Sequence, residues 1–314
     1  MSDSLNGSGG EQSPEPIKAI RLRHPWRIVI AVILVLALVA FVVDAANRPA
    51  YGWEYVGKYI FDRRISAAAL VTLQLTVYAM VLGVIVGLIL AVMRLSPNPV
   101  VKSVAWGYLW LFRGTPVYVQ LVFWGLLSLI YKNIFLGVPW TNIGVNLNLD
   151  FLQSTFLVAV LGLALNEAAY MAEIVRAGLL SVDHGQEEAA TALGMSWWQT
   201  TTRIVIPQAM RVIIPPTGNE VISMLKTTSL VAAVPLTIDL YGVARDISAV
   251  TYTPIPLLIV ASMWYLAFTS ILMVGQYFLE KRFARGVSTR MPEKRVTVET
   301  GAVPAVDVPG GAKK

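Results

Sequence analysis

Four ionisable side chains lie inside long apolar stretches of the chain: Glu167, Glu173, Glu220 and Lys226. A charge placed in hydrocarbon costs a few kcal/mol on insertion scales, so such groups usually face a cavity or a partner. Asn166, Tyr170 and Glu173 fall at i, i+4 and i+7, and Asn219, Ser223 and Lys226 repeat that spacing, so each triplet makes one polar stripe on a helix. Facing stripes, with Glu220 beside the second, would present opposite charges and hydrogen-bonding groups to each other. These seven residues form the candidate path for a polar solute. A second reading of the same charges is an ion pair between Glu173 and Lys226 that locks two helices.

Bulk composition says what positions these residues. Of the 314 residues, 56% are hydrophobic and 14% charged, with mean hydropathy +0.62, which places most of the chain in lipid. Six apolar stretches stand out, at about Ile28–Ala46, Ile65–Met93, Pro116–Tyr131, Thr155–Ala177, Ile204–Val234 and Ile255–Leu279. A helix needs roughly 20 residues to cross the hydrocarbon. The expected fold class is therefore an all-α integral membrane protein of about six transmembrane helices. Residues 1–25 and 286–314 are expected to be disordered cytoplasmic tails, because neither holds enough apolar surface to fold.

Lysine and arginine orient the chain, since short cytoplasmic loops carry their excess. With the N-terminus inside, 17 fall on the inner side and 6 on the outer, Arg211 and Lys226 lying within the fifth span. Arg113 is expected at the inner interface, where Gly114 and Pro116 turn a surface segment into the third span. Residues 26–46 read as an extra N-terminal transmembrane helix. Arg21, Arg23 and Arg27 before the apolar run Ile28–Val43, and Val43-Asp44-Ala45 at its end, also fit a signal peptide with a cleavage site. In the fifth span Pro207, Pro215, Pro216 and Gly218 predict a broken helix beside a translocation path. Gly83 and Gly87 make a small-xxx-small pair suited to close helix packing.

Several function classes are excluded or weakened. Cysteine is absent, and the two histidines, His24 and His184, are far apart, so no metal site is expected. No Gly-x-x-x-x-Gly-Lys-Ser/Thr loop is present to cradle ATP phosphates, and no serine, histidine and acid combination suggests catalysis. The chain reads as no enzyme.

The most informative stretch follows the fourth span: Gln186-Glu187-Glu188-Ala189-Ala190-Thr191-Ala192-Leu193-Gly194, then Ile204-Val205-Ile206-Pro207. Glu188 to Leu193 favours helix, while Ala189, Ala190 and Gly194 let another protein approach closely. Ala190, Leu193, Trp197 and Trp198 follow helical spacing, which predicts one docking helix at the inner surface. This segment resembles the coupling loop of type I ABC importer permeases, in the branch for polar amino acids. Glu188, Ala189, Ala190, Gly194, Ile204 and Pro207 fall in register with the family's signature, and Ile206 stands in place of its leucine. Leu111-Phe112-Arg113-Gly114-Thr115-Pro116, and Gly218 through Leu230, look like the same branch, although the family often has aspartate where Thr227 stands.

The resemblance covers residues 67–279 and implies the type I importer transmembrane architecture in the bacterial cell membrane. It implies a permease that moves polar amino acids by alternating access, with Glu188 to Gly194 gripped by a cytoplasmic ATPase dimer that binds the ATP. A second permease subunit, alike or different, and an extracytoplasmic substrate-binding protein complete the implied assembly. On this view the polar stripes hold an amino acid's carboxylate and ammonium. The alternative is an ATP-independent secondary amino-acid transporter.

Overall fold

The computed structural model describes residues 25–137, 144–234 and 236–283. The expected tails therefore lie outside the described residues, apart from Pro25, which opens the first helix. Eleven α-helices are described. The first, α1 (Pro25–Asn47), is apolar on every side and buries only Ala45, as a helix surrounded by lipid would. A short helix α2 (Trp53–Tyr59) leads to α3 (Arg63–Leu95), which begins where the Asp62 side chain accepts from the Arg64 amide. The Arg64 guanidinium also holds the Asp62 carboxyl below its ordinary range.

Asn98 caps α4 (Pro99–Gly114), with proline at the first helical position. The chain breaks at Thr115–Pro116 and continues as α5 (Val117–Ile130), followed by an antiparallel hairpin of β1 (Asn133–Gly137) and β2 (Gly144–Asn148). Ser154 caps α6 (Thr155–Leu180), and two short helices, α7 (His184–Ala192) and α8 (Trp197–Thr200), follow. The last three are α9 (Ile206–Thr227), α10 (Leu240–Thr251) and α11 (Pro254–Phe283).

Four of these, α1, α3, α6 and α11, are long and apolar enough to cross a membrane alone. The third expected span is built differently. Its helix α5 has 14 residues, about 21 Å, and the crossing is completed by α4 on the other side of the break. The fifth span, α9, carries Arg211, Glu220 and Lys226 and is correspondingly less apolar.

Helix α6 is the hub. It runs beside α3 so closely that a Cβ added at Gly87 would stand 2.6 Å from the Met171 Cβ, and one at Gly83 2.9 Å from Glu167 Cγ. One apolar cluster joins α3, α5, α6 and α9 through Leu75, Leu121, Leu163 and Ala209; another joins α2, α3, α10 and α11 through Val56, Ile65, Leu240 and Leu257. The outward faces, such as Val77, Val81 and Leu88 of α3, remain apolar and exposed, which suits lipid rather than water.

The expected break at Pro215–Gly218 is not there: α9 runs through it. Two prolines remove the donors for the Arg211 and Val212 carbonyls, but neighbours support the segment. Gln276 of α11 donates from Nε2 to the Pro215 carbonyl at 2.7 Å, and the Thr217 hydroxyl donates to the Ile213 carbonyl at 2.8 Å. Gly218 admits this contact, because a Cβ there would overlap the Gln276 amide. The irregular turns lie at the ends instead, a π turn at Thr201–Val205 and a 3-10 turn at Thr228–Ala233.

Candidate functional site

The α4–α5 break opens a cavity of about 580 Å3 between α6 and α9. Its polar lining is Arg113 and Thr115 from the break, Asn166, Glu167 and Tyr170 from α6, and Glu220, Ser223 and Thr227 from α9. The break is held open by one glutamine. Gln120, buried in α5, places Nε2 2.9 Å from the Phe112 carbonyl and 2.7 Å from Thr115 Oγ1. Its Oε1 accepts from Asn166 Nδ2 at 3.0 Å, and Asn166 Nδ2 also lies 3.1 Å from the Phe112 carbonyl. These bonds replace the helical ones that Pro116 prevents.

A Gln120→Leu variant removes the side chain that ties the Phe112 and Thr115 carbonyls to Asn166 and leaves Phe112 and Asn166 with only each other, a loss of about 1–3 kcal/mol. Its unfolding temperature in detergent is expected to fall by several degrees. An unchanged transition would mean that Gln120 does not hold the break.

Arg113 is not at the inner interface, as its position before a span suggested. Its backbone sits level with the middle of α6, where Tyr108 donates to the Leu165 carbonyl at 2.7 Å. Helix α4 packs along α6 and so carries its end into the membrane; the guanidinium then extends toward Tyr170, 5.6 Å from the ring centroid. Glu167 is 5% exposed, and its Oε1 has no hydrogen-bond partner. The cavity thus combines one guanidinium with two carboxylates, a set that can grip both a carboxylate and a cationic group of one small molecule. Among the described residues no cluster of three His, Asp or Glu is arranged to hold a metal.

The seven path residues divide. Asn166, Tyr170, Glu220 and Ser223 meet at the cavity; Asn219 and Lys226 are exposed outside it. Glu173 lies in a neighbouring hollow and bonds Arg176, at 3.0 Å to Nε and 2.7 Å to Nη2, with Arg94 Nη2 at 3.9 Å. The expected Glu173–Lys226 pair is therefore absent, because arginines on α3 and α6 take the carboxylate first. Arg113 and Glu167 were not among the path residues. Arg113 preceded a span, where charge reads as an anchor, and Glu167 stood off the Asn166 stripe by one position.

The loop after α6 also differs from one continuous helix. Helix α7 ends at Ala192, and Gly194 takes φ +76°, a conformation that favours glycine. Helix α8 then starts at a capping box in which Ser196 and Gln199 exchange bonds of 3.3 and 2.9 Å. Glu188 and Ala189 are exposed, Ala190 faces inward, and Leu193, Trp197 and Trp198 project outward. Ile204 and Pro207 stand at the π turn and the first turn of α9.

Residues 83–285 match the family of binding-protein-dependent transport system inner membrane components, and the chain belongs to that family. It is 53% identical over 308 residues to the arginine transport system permease protein ArgU of Corynebacterium glutamicum, covering 97% of this chain and 96% of that one. It is 38% identical over 221 residues to the histidine/lysine/arginine/ornithine transport system permease protein HisM of Escherichia coli (strain K12), covering 69% and 87%.

A solved amino acid ABC transporter chain superposes with TM-score 0.59 at 33% identity, covering 73% of this chain and 98% of that one. The methionine ABC transporter MetNI superposes with TM-score 0.52 at 16% identity, covering 72% and 97%, a likeness of fold. The chain is thus a multi-pass permease subunit of the cell membrane with the type I importer architecture. The ATP-independent reading finds no support among these relatives.

Proposed function

We propose that this permease passes cationic polar amino acids, arginine among them, through the cavity beside the α4–α5 break. The carrying observation is that Arg113, Glu167 and Glu220 line one cavity, which suits a substrate bearing one carboxylate and two cationic groups. The reading also draws on relatives whose names specify arginine, or histidine, lysine, arginine and ornithine. A cytoplasmic ATPase dimer grips the exposed Glu188–Gly194 loop and binds the ATP. A second permease subunit and an extracytoplasmic binding protein complete the complex. ATPase closure moves α7, and with it the start of α9, so the cavity alternates between the two sides.

The test is ATP hydrolysis by the reconstituted complex in liposomes, with binding protein and arginine supplied. Arginine is expected to stimulate hydrolysis, and Glu188→Arg and Gly194→Trp, each on the exposed loop, to abolish the stimulation. Stimulation that survives both variants would remove the loop from coupling.

A further inference from the structure

Beside the substrate cavity lies a second hollow of about 340 Å3 that opens on the outer face of α4. Arg94, Trp106, Trp110, Arg113 and Glu173 line it. Its two arginines outnumber its one carboxylate, and that carboxylate is already engaged by Arg176. Arg94 keeps only a long contact of 3.9 Å to Glu173, and its Nε is buried with no hydrogen-bond partner. Arg94 is therefore under-partnered within the chain, and the part of its guanidinium that is exposed has room for a further acceptor.

Depth identifies the acceptor's source. Helix α3 has 33 residues and spans about 50 Å, so it overshoots a hydrocarbon layer of about 30 Å at both ends. Arg94, one residue from its inner end, therefore sits at the level of the cytoplasmic headgroups. Lys102, Trp106, Trp110 and Arg113 follow at i, i+4, i+8 and i+11 on α4, a single stripe rising from that level. The two indoles stack at 6.5 Å and 13°, and they are 55% and 66% exposed on a surface that otherwise faces lipid. The indoles stand above the headgroup level, where they can flank an acyl chain, and basic pockets on the cytoplasmic side bind anionic headgroups.

We propose that this hollow holds one anionic phospholipid of the cytoplasmic leaflet. Its phosphodiester takes the Arg94 guanidinium, with Lys102 one turn before Trp106 on the α4 stripe, and an acyl chain lies along Trp106 and Trp110. Because Arg113 lines both this hollow and the substrate cavity, the lipid also stands beside a residue of the transport path.

The test is native mass spectrometry of the purified full-length chain, with phosphatidylglycerol, phosphatidylcholine or soluble glycerol phosphate added. Retained phosphatidylglycerol is expected to exceed phosphatidylcholine about tenfold and to fall about fivefold for each charge removed in Arg94→Gln and Lys102→Gln. Trp106→Leu, which leaves every charge in place, is expected to lower retention of the lipid without creating any for glycerol phosphate. Equal retention of the two lipids, or phosphatidylglycerol binding untouched in all three variants, would overturn the site. Glycerol phosphate bound as well as the lipid would overturn the lipid assignment. A disulfide between Trp110→Cys copies in the membrane would show that a second subunit occupies the hollow instead.

Discussion

A Gly87→Leu variant is expected to lose nearly all folded protein, while Gly107→Ala remains at wild-type levels. The contrast follows from what stands opposite each glycine. A Cβ at Gly87 would lie 2.6 Å from the Met171 Cβ, 3.0 Å from the Ala168 carbonyl oxygen and 3.1 Å from the Ala172 nitrogen. Two of the three are backbone of α6, so no side-chain rotation relieves the contact and the helices must separate. Overpacking a dense interior usually costs about 1–3 kcal/mol. Here the cost extends along α3, whose partner α6 also positions Asn166, Glu167 and Tyr170.

Between helices in lipid, where no hydrophobic force returns them to contact, small residues supply the packing that holds them. Gly87→Ala is expected to be intermediate. A Cβ at Gly107 meets nothing within 4 Å, so its change tests only helix propensity. Folded yield by size exclusion and the unfolding temperature in detergent measure all three. Equal behaviour of Gly87→Leu and Gly107→Ala would refute the close packing of α3 on α6.

The elements that the sequence made legible are those where one signal dominates. Apolar runs longer than about 20 residues marked α1, α3, α6 and α11, because lipid demands length and uniform hydrophobicity. Proline was less reliable as a guide to α9. Its effect depends on how neighbours brace the segment, and Gln276, which bonds the Pro215 carbonyl, lies 61 residues away. The Glu188–Trp198 segment was legible in composition but not in shape: apolar spacing predicts a single helix, whereas Gly194 and the Ser196 cap divide it.

The cavity was legible by half. Periodicity brought Asn166 and Tyr170 to one face of α6, and Glu220 and Ser223 to α9, but it carries no information about which side each face turns. Asn219 and Lys226 obey the same spacing and point away. Arg113 was misplaced for a related reason. The charge rule treats a basic residue before a span as lying at the surface, yet α4 had already risen to the middle of α6 before the break. Gln120, whose bonds hold that break, is one polar residue in an apolar helix. Only the distance between it and Asn166 distinguishes it from a tolerated exception.

Replacing Glu220 by glutamine is expected to weaken arginine binding to the permease complex about 10- to 100-fold, while leaving its uncharged isostere citrulline within about threefold. A charge-assisted hydrogen bond contributes about 1.5–3 kcal/mol, which corresponds to the larger factor. Citrulline keeps the shape, the α-carboxylate and the α-ammonium, and it loses only the side-chain charge that Glu220 is placed to meet. Arg113→Gln is expected to behave differently. If the guanidinium over Tyr170 takes the α-carboxylate, both ligands lose affinity to a similar degree. Direct titration without the binding protein isolates the cavity from any selection made before delivery. Equal losses of arginine and citrulline in Glu220→Gln would remove that carboxylate from side-chain recognition. Unchanged binding in Arg113→Gln would place the carboxylate elsewhere. The two variants together therefore report the orientation of the substrate, with its cationic end toward α9 and its carboxylate toward the α4–α5 break.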